Sequence, residues 1–347
     1  MNLPVIDRST LEAWQSCPFS GYARDHRLVL NESAAADAGN ESHNAISRAV
    51  TMFSDGLIPK LSDFVAEMQY AAEQSRTDVA DVAAGGVKGA MWPLARHIMY
   101  APSGDPRSPL DILRHDGGTG EKSGQLAWEF EDEKHDKVML TCRVDLLLAT
   151  ASEEEVELND WKSGFATWSA DDVASSFQFG VFYPTLVLLN YPGANAVRVR
   201  IWNTRFGAFC SPFVFTRRIH MPAAMRKISA AMSLRAKYFE AIPESVPTWP
   251  DPLKCSMCPA VTGCPRIKPI TAAGIDTLEP GAMLESLVVL EEATAVIRKR
   301  LDGVAKACGG DFVHGRLSYG ISKPKAMKTP ARDPYLTPTY EPDEQEA

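Results

Sequence analysis

The sequence of 347 residues lacks any long apolar run. No run approaches the roughly 18 apolar residues that suggest a membrane span. Its first residues, MNLPVIDRSTLEAWQSC, have no apolar core of the kind that signal peptides carry. We therefore expect a cytoplasmic protein without a membrane partner, in the host cytoplasm if a phage encodes it. In such a reducing compartment, clustered cysteines favour metal or redox chemistry over disulfides.

The sequence also lacks an excess of positive charge. It has 36 Lys and Arg against 44 Asp and Glu, a net charge of −8. This balance argues against a general nucleic-acid coat protein, although a local basic groove can still bind DNA. No internal repeat is visible. The composition is that of a globular protein, and the length suffices for one large domain or two ordinary ones.

Cysteine is scarce and unevenly placed. Three of the seven cysteines fall within the ten residues CSMCPAVTGC, at positions 255, 258 and 264. A disulfide framework needs an even number, and a tetrahedral metal site needs four ligands. The stretch therefore predicts a metal site whose fourth ligand comes from elsewhere in the chain.

The pattern of apolar residues predicts an α/β protein in which a mixed sheet is flanked by helices. We expect four segments, which are an N-terminal helical region (1–120), a core (121–245), a cysteine loop (246–270), and a long helix with a strand and tail (271–347). Within them we predict helices over 40–53, 174–190 and 281–307, strands over 125–130, 138–149 and 156–162, and a strand-like piece over 311–321.

Three charged residues stand where the strands are most apolar. Asp145 lies within CRVDLLL, and an unpaired buried carboxylate is costly. Asp160 and Lys162 share one face of the next strand because side chains alternate with period two. A hairpin would bring Asp145 and Asp160 together, where Mg²⁺ or Mn²⁺ relieves their repulsion. The alternative is a surface hairpin with an ordinary Asp–Lys pair.

The chain carries VD in an apolar strand, DWK at the end of the next strand, and then Gln178 and Tyr183. This arrangement resembles the PD-(D/E)XK nuclease superfamily, in particular its RecB-like branch. The resemblance implies a restriction-endonuclease-like fold and a hydrolase. It implies catalytic roles for Asp145, Asp160, Lys162, Gln178 and Tyr183. It also implies that His43, Asp145, Asp160 and the main-chain carbonyl of Trp161 hold the metal.

Two positions depart from the family pattern. Cys142 occupies the place of a glycine that usually precedes the strand aspartate. Four residues separate Gln178 from Tyr183 where the family has three, and Phe182 stands at the expected position. Either the helix is locally distorted, or Tyr183 is not the functional equivalent of the family tyrosine.

The resemblance also supplies the fourth cysteine. The AddB nuclease domain and the CRISPR-associated adaptation nucleases hold a [4Fe–4S] cluster with one cysteine before the nuclease core and three after it, spaced Cys-x2-Cys-x5-Cys. The positions that match this pattern are Cys17, Cys255, Cys258 and Cys264. A four-cysteine zinc site is the alternative. We expect the cluster to be structural, joining the N-terminal segment to the chain after the core.

The resemblance thus implies a metal-dependent nuclease that acts on DNA, in particular an exonuclease on single-stranded ends in recombination or repair. The metal would activate the attacking water, and Lys162 would position it. No P-loop, Gly-x4-Gly-Lys-Ser/Thr, occurs, so any helicase or recombination partner is a separate chain. The alternative is a binding module that holds DNA ends or a partner without cutting.

Candidate DNA contacts are basic residues at the strand ends and in the tail. Arg198 and Arg200 share one strand face, and Arg217 and Arg218 end the next strand; the basic run at 323–332 is a second candidate. Such contacts bind phosphates without reading sequence. An aromatic residue such as Trp161 or Tyr183 would stack a base if the substrate is single-stranded.

Overall fold

The computed structural model describes residues 3–28, 34–74, 87–131, 137–164 and 167–250, scattered positions between 255 and 302, and the backbone of 311–314 and 317–320. The chain divides into two compact units, Met1–Val289 and Leu290–Ala347. The finer four-part division stays a prediction. No helix in the described ranges is long and apolar enough to cross a membrane.

The first unit is a mixed α/β structure. Its helices are α1 (Arg8–Ser16), α2 (Pro18–Asp25), α3 (Ala34–Ser54), α4 (Leu61–Glu73), α5 (Met91–Met99), α6 (Ala170–Ser175), α7 (Tyr183–Asn190) and α8 (Met221–Tyr238). Its strands are β1 (Val5–Asp7), β2 (Ile112–His115), β3 (Gln125–Glu131), β4 (Lys137–Arg143), β5 (Leu146–Ala149), β6 (Glu155–Lys162), β7 (Ala196–Asn203), β8 (Ala208–Phe209) and β9 (Phe213–Thr216).

Two mixed sheets form the centre of this unit, where the sequence had predicted one. The smaller sheet has the order β1-β4-β3, with β1 parallel and β3 antiparallel to β4. The larger sheet has the order β2-β5-β6-β7-β8, and β9 also pairs with β7. Strands β5 and β6 form an antiparallel hairpin, and the chain then crosses through α6 and α7 to place β7 parallel to β6. Helices flank both sheets, as predicted.

The prediction of one continuous strand over 138–149 was wrong. The chain leaves the smaller sheet after Arg143, bends at Val144 and Asp145, and enters the larger sheet at Leu146. Two backbone hydrogen bonds hold the bend, from Val144 N–H to the Gly124 carbonyl (2.9 Å) and from Asp116 N–H to the Asp145 carbonyl (2.9 Å). Asp145 therefore sits between the two sheets instead of inside a strand.

The main apolar core lies between the larger sheet and the helices α3, α4 and α5. Ile46, Val50 and Phe64 are fully or almost fully buried there against Leu146 and Trp161. Helix α3 begins six residues before the predicted start at Asn40, and it keeps the predicted stripe of buried residues at 46, 49, 50 and 53. This core fixes α3 against the hairpin and so fixes the residues that α3 presents to it.

The second unit contains a separate two-stranded antiparallel hairpin, β10 (Asp311–His314) and β11 (Leu317–Gly320), which pairs Asp311 with Gly320. The predicted strand-like piece over 311–321 is therefore two short strands. In the predicted helix over 281–307, the described positions 290, 291, 294, 295, 297–299, 301 and 302 of this unit are helical. Residues 303–310 and the basic run at 323–332 lie outside the described residues.

Candidate active site

The hairpin of β5 and β6 brings the two predicted carboxylates together. Leu146 pairs with Asn159, and continuing this register by one residue places Asp145 opposite Asp160. The Trp161 N–H donates a 2.9 Å hydrogen bond to Oδ2 of Asp145, so the bend and the strand are joined directly. Both aspartates are buried. Two carboxylates thus share one site at the end of β6, as the sequence predicted.

A histidine and a lysine each contact one of these carboxylates. His43 on α3 places Nδ1 3.5 Å from Oδ1 of Asp145. Nζ of Lys162 forms an ion pair with Oδ1 of Asp160 at 2.6 Å, and this buried oxygen has no hydrogen-bond partner besides. The four residues predicted as the centre of the site therefore lie together.

The two aspartates differ in their affinity for protons. Burial and the neighbouring charge of Asp145 raise the pKa of Asp160 to about 6, although Lys162 and His43 act against this rise. Burial alone would also raise the pKa of Asp145, but His43 and Lys162 outweigh burial and lower it. Burial would lower the pKa of His43, and the charge of Asp145 outweighs this and raises it. Asp160 is thus the carboxylate of the pair that holds a proton more tightly, although Lys162 lies beside it.

The carboxylates suit a divalent cation in chemistry and position. A buried carboxylate oxygen without a hydrogen-bond donor, beside a second carboxylate, is the donor set that Mg²⁺ and Mn²⁺ prefer. In the described part of the chain, no three His, Cys, Asp or Glu side chains already surround a metal-sized position. Asp145 and Asp160 contact His43 and Lys162 instead, and a bound cation would replace part of these contacts.

The segment after α6 explains the unusual spacing of Gln178 and Tyr183. Residues Gln178–Phe182 form a π-helical turn, in which the Tyr183 N–H donates to the Gln178 carbonyl five residues earlier. The helix is therefore locally distorted, which was the first of the two alternatives. A Cβ atom on Gly180 would lie 2.1 Å from the Ala174 carbonyl oxygen, so glycine permits this turn to pack on α6. The insertion of one residue leaves Gln178 and Tyr183 one turn apart.

Tyr183 is buried close to the carboxylates. Burial raises its pKa, and the nearby charge of Asp160 adds to this effect. Its hydroxyl also forms a hydrogen bond with Arg8 on α1, which pairs with Glu12 at 2.6 Å. Arg8 was not predicted from the sequence, because nothing in the residues around it distinguishes it from a surface arginine.

The four predicted arginines have different surroundings. Arg198 makes a two-pronged ion pair with Glu155, at 2.9 and 3.2 Å. Arg200 is mostly buried beside Glu157. The Arg217 guanidinium donates to the carbonyls of Leu188 (2.7 Å) and Ala194 (2.9 Å) and so stabilises the turn after α7. Arg218 is exposed. DNA contact by these arginines stays a prediction, and Arg218 is the most accessible of them.

A buried polar network on the other face of β6 was not predicted. Nε2 of His97 lies 2.6 Å from Oε1 of Glu157, and Asn159 donates to the same oxygen at 3.1 Å. Trp202 Nε1–H donates to Oδ1 of Asn159 at 2.9 Å. Burial would raise the pKa of Glu157, but His97 and Arg200 outweigh burial and lower it to about 2. This network attaches β6 to α5 and β7.

The four cysteines of the predicted cluster, Cys17, Cys255, Cys258 and Cys264, line one cavity of about 390 Å³. The structure describes no disulfide at any of the four. The Trp249 N–H points to the sulfur of Cys17 (3.4 Å), and Cys258 Sγ lies 3.6 Å from the Ser20 hydroxyl. Burial raises the pKa of Cys258, and the charges that Cys17 and Cys255 can carry add to this. Residues separated by some 240 positions in sequence thus surround one cavity.

Four cysteine sulfurs are a donor set for either a [4Fe–4S] cluster or a zinc ion. Of the remaining cysteines in the described residues, Cys142 and Cys210 are buried, as expected for residues that only pack.

Comparison with known proteins adds no family to these observations. No protein-family model matches the sequence, and no curated protein matches it.

Proposed function

We propose that the protein is a metal-dependent DNA nuclease of the PD-(D/E)XK superfamily, an exonuclease that acts on single-stranded ends in recombination or repair. The observation that carries the proposal is the pair of buried carboxylates, Asp145 and Asp160, with His43 on one and Lys162 on the other. The antiparallel hairpin followed by a helical crossover to a parallel strand supports a restriction-endonuclease-like core.

The residues have separable roles in this proposal. Asp145 and Asp160 would hold Mg²⁺ or Mn²⁺, with His43 and the Trp161 carbonyl as further ligands. When bound, the cation supplies a water of lowered pKa and neutralises charge on the phosphate. Lys162, with its Nζ 5.1 Å from the centre of the Phe179 ring, is held at the mouth of the site, where it orients the nucleophile and stabilises negative charge on the phosphate oxygens.

Tyr183 and Gln178 have a positioning role in this scheme. Tyr183 is connected to Arg8 and lies in the field of Asp160, so it helps to set the position of α1 relative to the carboxylates. The π-helical turn holds Gln178 one turn before it. Both residues belong to the segment that crosses from β6 to β7, and this segment therefore determines the shape of one wall of the site.

We further propose that Cys17, Cys255, Cys258 and Cys264 bind a [4Fe–4S] cluster with a structural role. The shared cavity supports this assignment. The cluster would close a loop of about 240 residues, and a long closed loop restricts the unfolded chain as a distant disulfide does.

The nuclease proposal is tested with end-labelled single- and double-stranded DNA, Mg²⁺ or Mn²⁺, and anaerobically purified protein. We expect cleavage that EDTA abolishes and that Asp160→Asn and Lys162→Ala reduce by at least about 100-fold, the scale of a lost charge-stabilising group. Asp63→Asn, an exposed helix residue, is the matched control and should cleave like the wild type. DNA binding without any metal-dependent cleavage would instead support a non-cleaving binding module.

The cluster proposal has its own test. The purified protein should be brown, absorb visible light and contain about four iron atoms per chain. Cys17→Ala and Cys258→Ala should lose the colour and much of the stability. Colourless protein that contains one zinc per chain after anaerobic purification would refute the iron–sulfur assignment and leave the nuclease proposal intact.

A further inference from the structure

The two aromatic residues expected to stack a base cannot do so in this structure. Trp161 is 0% exposed and Tyr183 is 6% exposed, so neither ring presents a face to a substrate. Base stacking on aromatic rings is nevertheless the usual way in which proteins hold single strands without reading their sequence. Among the described residues around Lys162, two other aromatic residues are accessible enough for a strand to reach, Phe206 and Trp168.

Phe206 lies on a turn directly beside the end of β6. Lys162 is paired with Asn203 in the parallel register of β6 and β7. The turn that follows is bound to the chain after Lys162, since Thr204 N–H donates to the Lys162 carbonyl (3.0 Å) and Arg205 Nε to the Ser163 carbonyl (3.1 Å). Phe206 is 54% exposed. The backbone of this half-exposed residue is therefore fixed relative to the end of β6.

The backbone of this turn is held rigidly. Gly207 has a φ of +65°, which favours glycine. Gly89 touches the turn so closely that a Cβ atom there would lie 2.2 Å from the Arg205 carbonyl oxygen. The Phe206 N–H also donates to Oδ1 of Asn203 at 3.3 Å. A ring on such a fixed backbone loses little further freedom when it binds a base.

Trp168 is the second reachable aromatic residue near Lys162. Its ring packs edge-on against Phe179, with centroids 5.3 Å apart and planes at 85°. The Nζ of Lys162 lies 5.1 Å from the same Phe179 centroid. The centre of the Trp168 ring is therefore within about 10.4 Å of Lys162 Nζ. Trp168 is only partly buried.

We propose that Trp168 and Phe206 stack unpaired bases of a single-stranded DNA substrate near the scissile phosphate. The proposal rests on the proposed nuclease function and specifies how the substrate strand is held. Bases in a duplex are already stacked on each other and cannot also stack on both aromatic rings. The two residues therefore favour single-stranded over double-stranded DNA, and they do so without sequence preference.

The test measures binding of a fluorescein-labelled single strand to the full-length protein by fluorescence anisotropy in EDTA, where cleavage does not interfere. Phe206→Ala and Trp168→Ala should each raise Kd by about 5- to 150-fold, the range that one lost base stack gives. Phe206→Tyr and Trp168→Phe should bind like the wild type. Tyr70→Ala is the matched control, because Tyr70 is 50% exposed on α4, and its Kd should not change.

A set of strands, each with one abasic position, separates stacking from general damage. The effect of Phe206→Ala should disappear for one abasic position and persist for the others, and Trp168→Ala should behave likewise at a different position. An equal loss at every position, or no loss relative to Tyr70→Ala, would overturn the inference. Unchanged KM values for single-stranded DNA in both alanine variants of a cleaving enzyme would overturn it too. Failure of the wild type to cleave at all would refute the nuclease function instead.

Discussion

The replacement Asp160→Asn should stabilise the metal-free protein at neutral pH. Burial and Asp145 raise the pKa of Asp160 to about 6 from an ordinary value of 3.8. The folded state therefore holds this proton more tightly than the unfolded state. The stability associated with the proton is fully present below about pH 4 and is lost as the pH rises through 6.

The magnitude follows from the difference between the two pKa values. A difference of about two units at about 1.36 kcal/mol per unit gives a loss of about 3 kcal/mol above pH 7. At pH 5 only about half of this loss has occurred. Asparagine keeps the shape of the side chain and cannot ionise, so the variant should be more stable than the wild type by up to about 3 kcal/mol at pH 7.5. For a chain of 347 residues, this corresponds to a rise in Tm of roughly 4 °C.

Thermal unfolding in EDTA, followed by circular dichroism at pH 5 and pH 7.5, measures the difference. Asp63→Asn is the control for the loss of one exposed carboxylate. Added Mg²⁺ or Mn²⁺ should raise the Tm of the wild type and have little effect on Asp160→Asn, because the cation takes the place of the proton. If Asp160→Asn has the same Tm as the wild type, or a Tm gain that is equal at both pH values, then the two carboxylates do not destabilise the metal-free fold and the reasoning is refuted.

Two further predictions concern the walls of the site. Glu157→Gln should lower the free energy of unfolding by about 3 kcal/mol near pH 7, since His97 and Arg200 overcome burial and lower the pKa of Glu157 to about 2 from 4.5. Urea denaturation should show that this loss shrinks as the pH falls from about 4.5 towards 2. A loss that does not depend on pH would contradict the prediction. Gly180→Ala should cost about 1–3 kcal/mol through overpacking against Ala174 and reduce cleavage more than Asp63→Asn does; wild-type stability would show that the π-helical turn relaxes freely.

The strands and helices that carry the chemistry were largely predictable. The strand predicted over 156–162 is β6, with one more residue at its start, and the acidic turn before it indicated the hairpin. The predicted helix over 40–53 is the last two thirds of α3, where the apolar stripe has a helical period. Together with the hairpin, they brought His43, Asp145, Asp160 and Lys162 into one site.

What the sequence did not predict depends on contacts between distant residues. The apolar run over 138–149 contains no glycine or proline, and its bend at Asp145 is held by Gly124 and Asp116 from an earlier loop. The solvent exposure of a side chain likewise depends on contacts between distant residues. The difference between buried Trp161 and exposed Phe206 arises from which neighbours cover each ring, and this information is absent from local sequence.

The contacts between the N-terminal segment and residues 235–249 have a consequence for the order of folding. The Phe19 N–H donates to the Pro247 carbonyl (3.1 Å), and Arg235 pairs with Asp25 at 2.7 Å. These partners are more than 200 residues apart, so α1 and α2 must wait for most of the chain to be synthesised before they can be covered. Until then the parts of α1 and α2 that these late residues cover stay accessible on the ribosome, where chaperones can reach them.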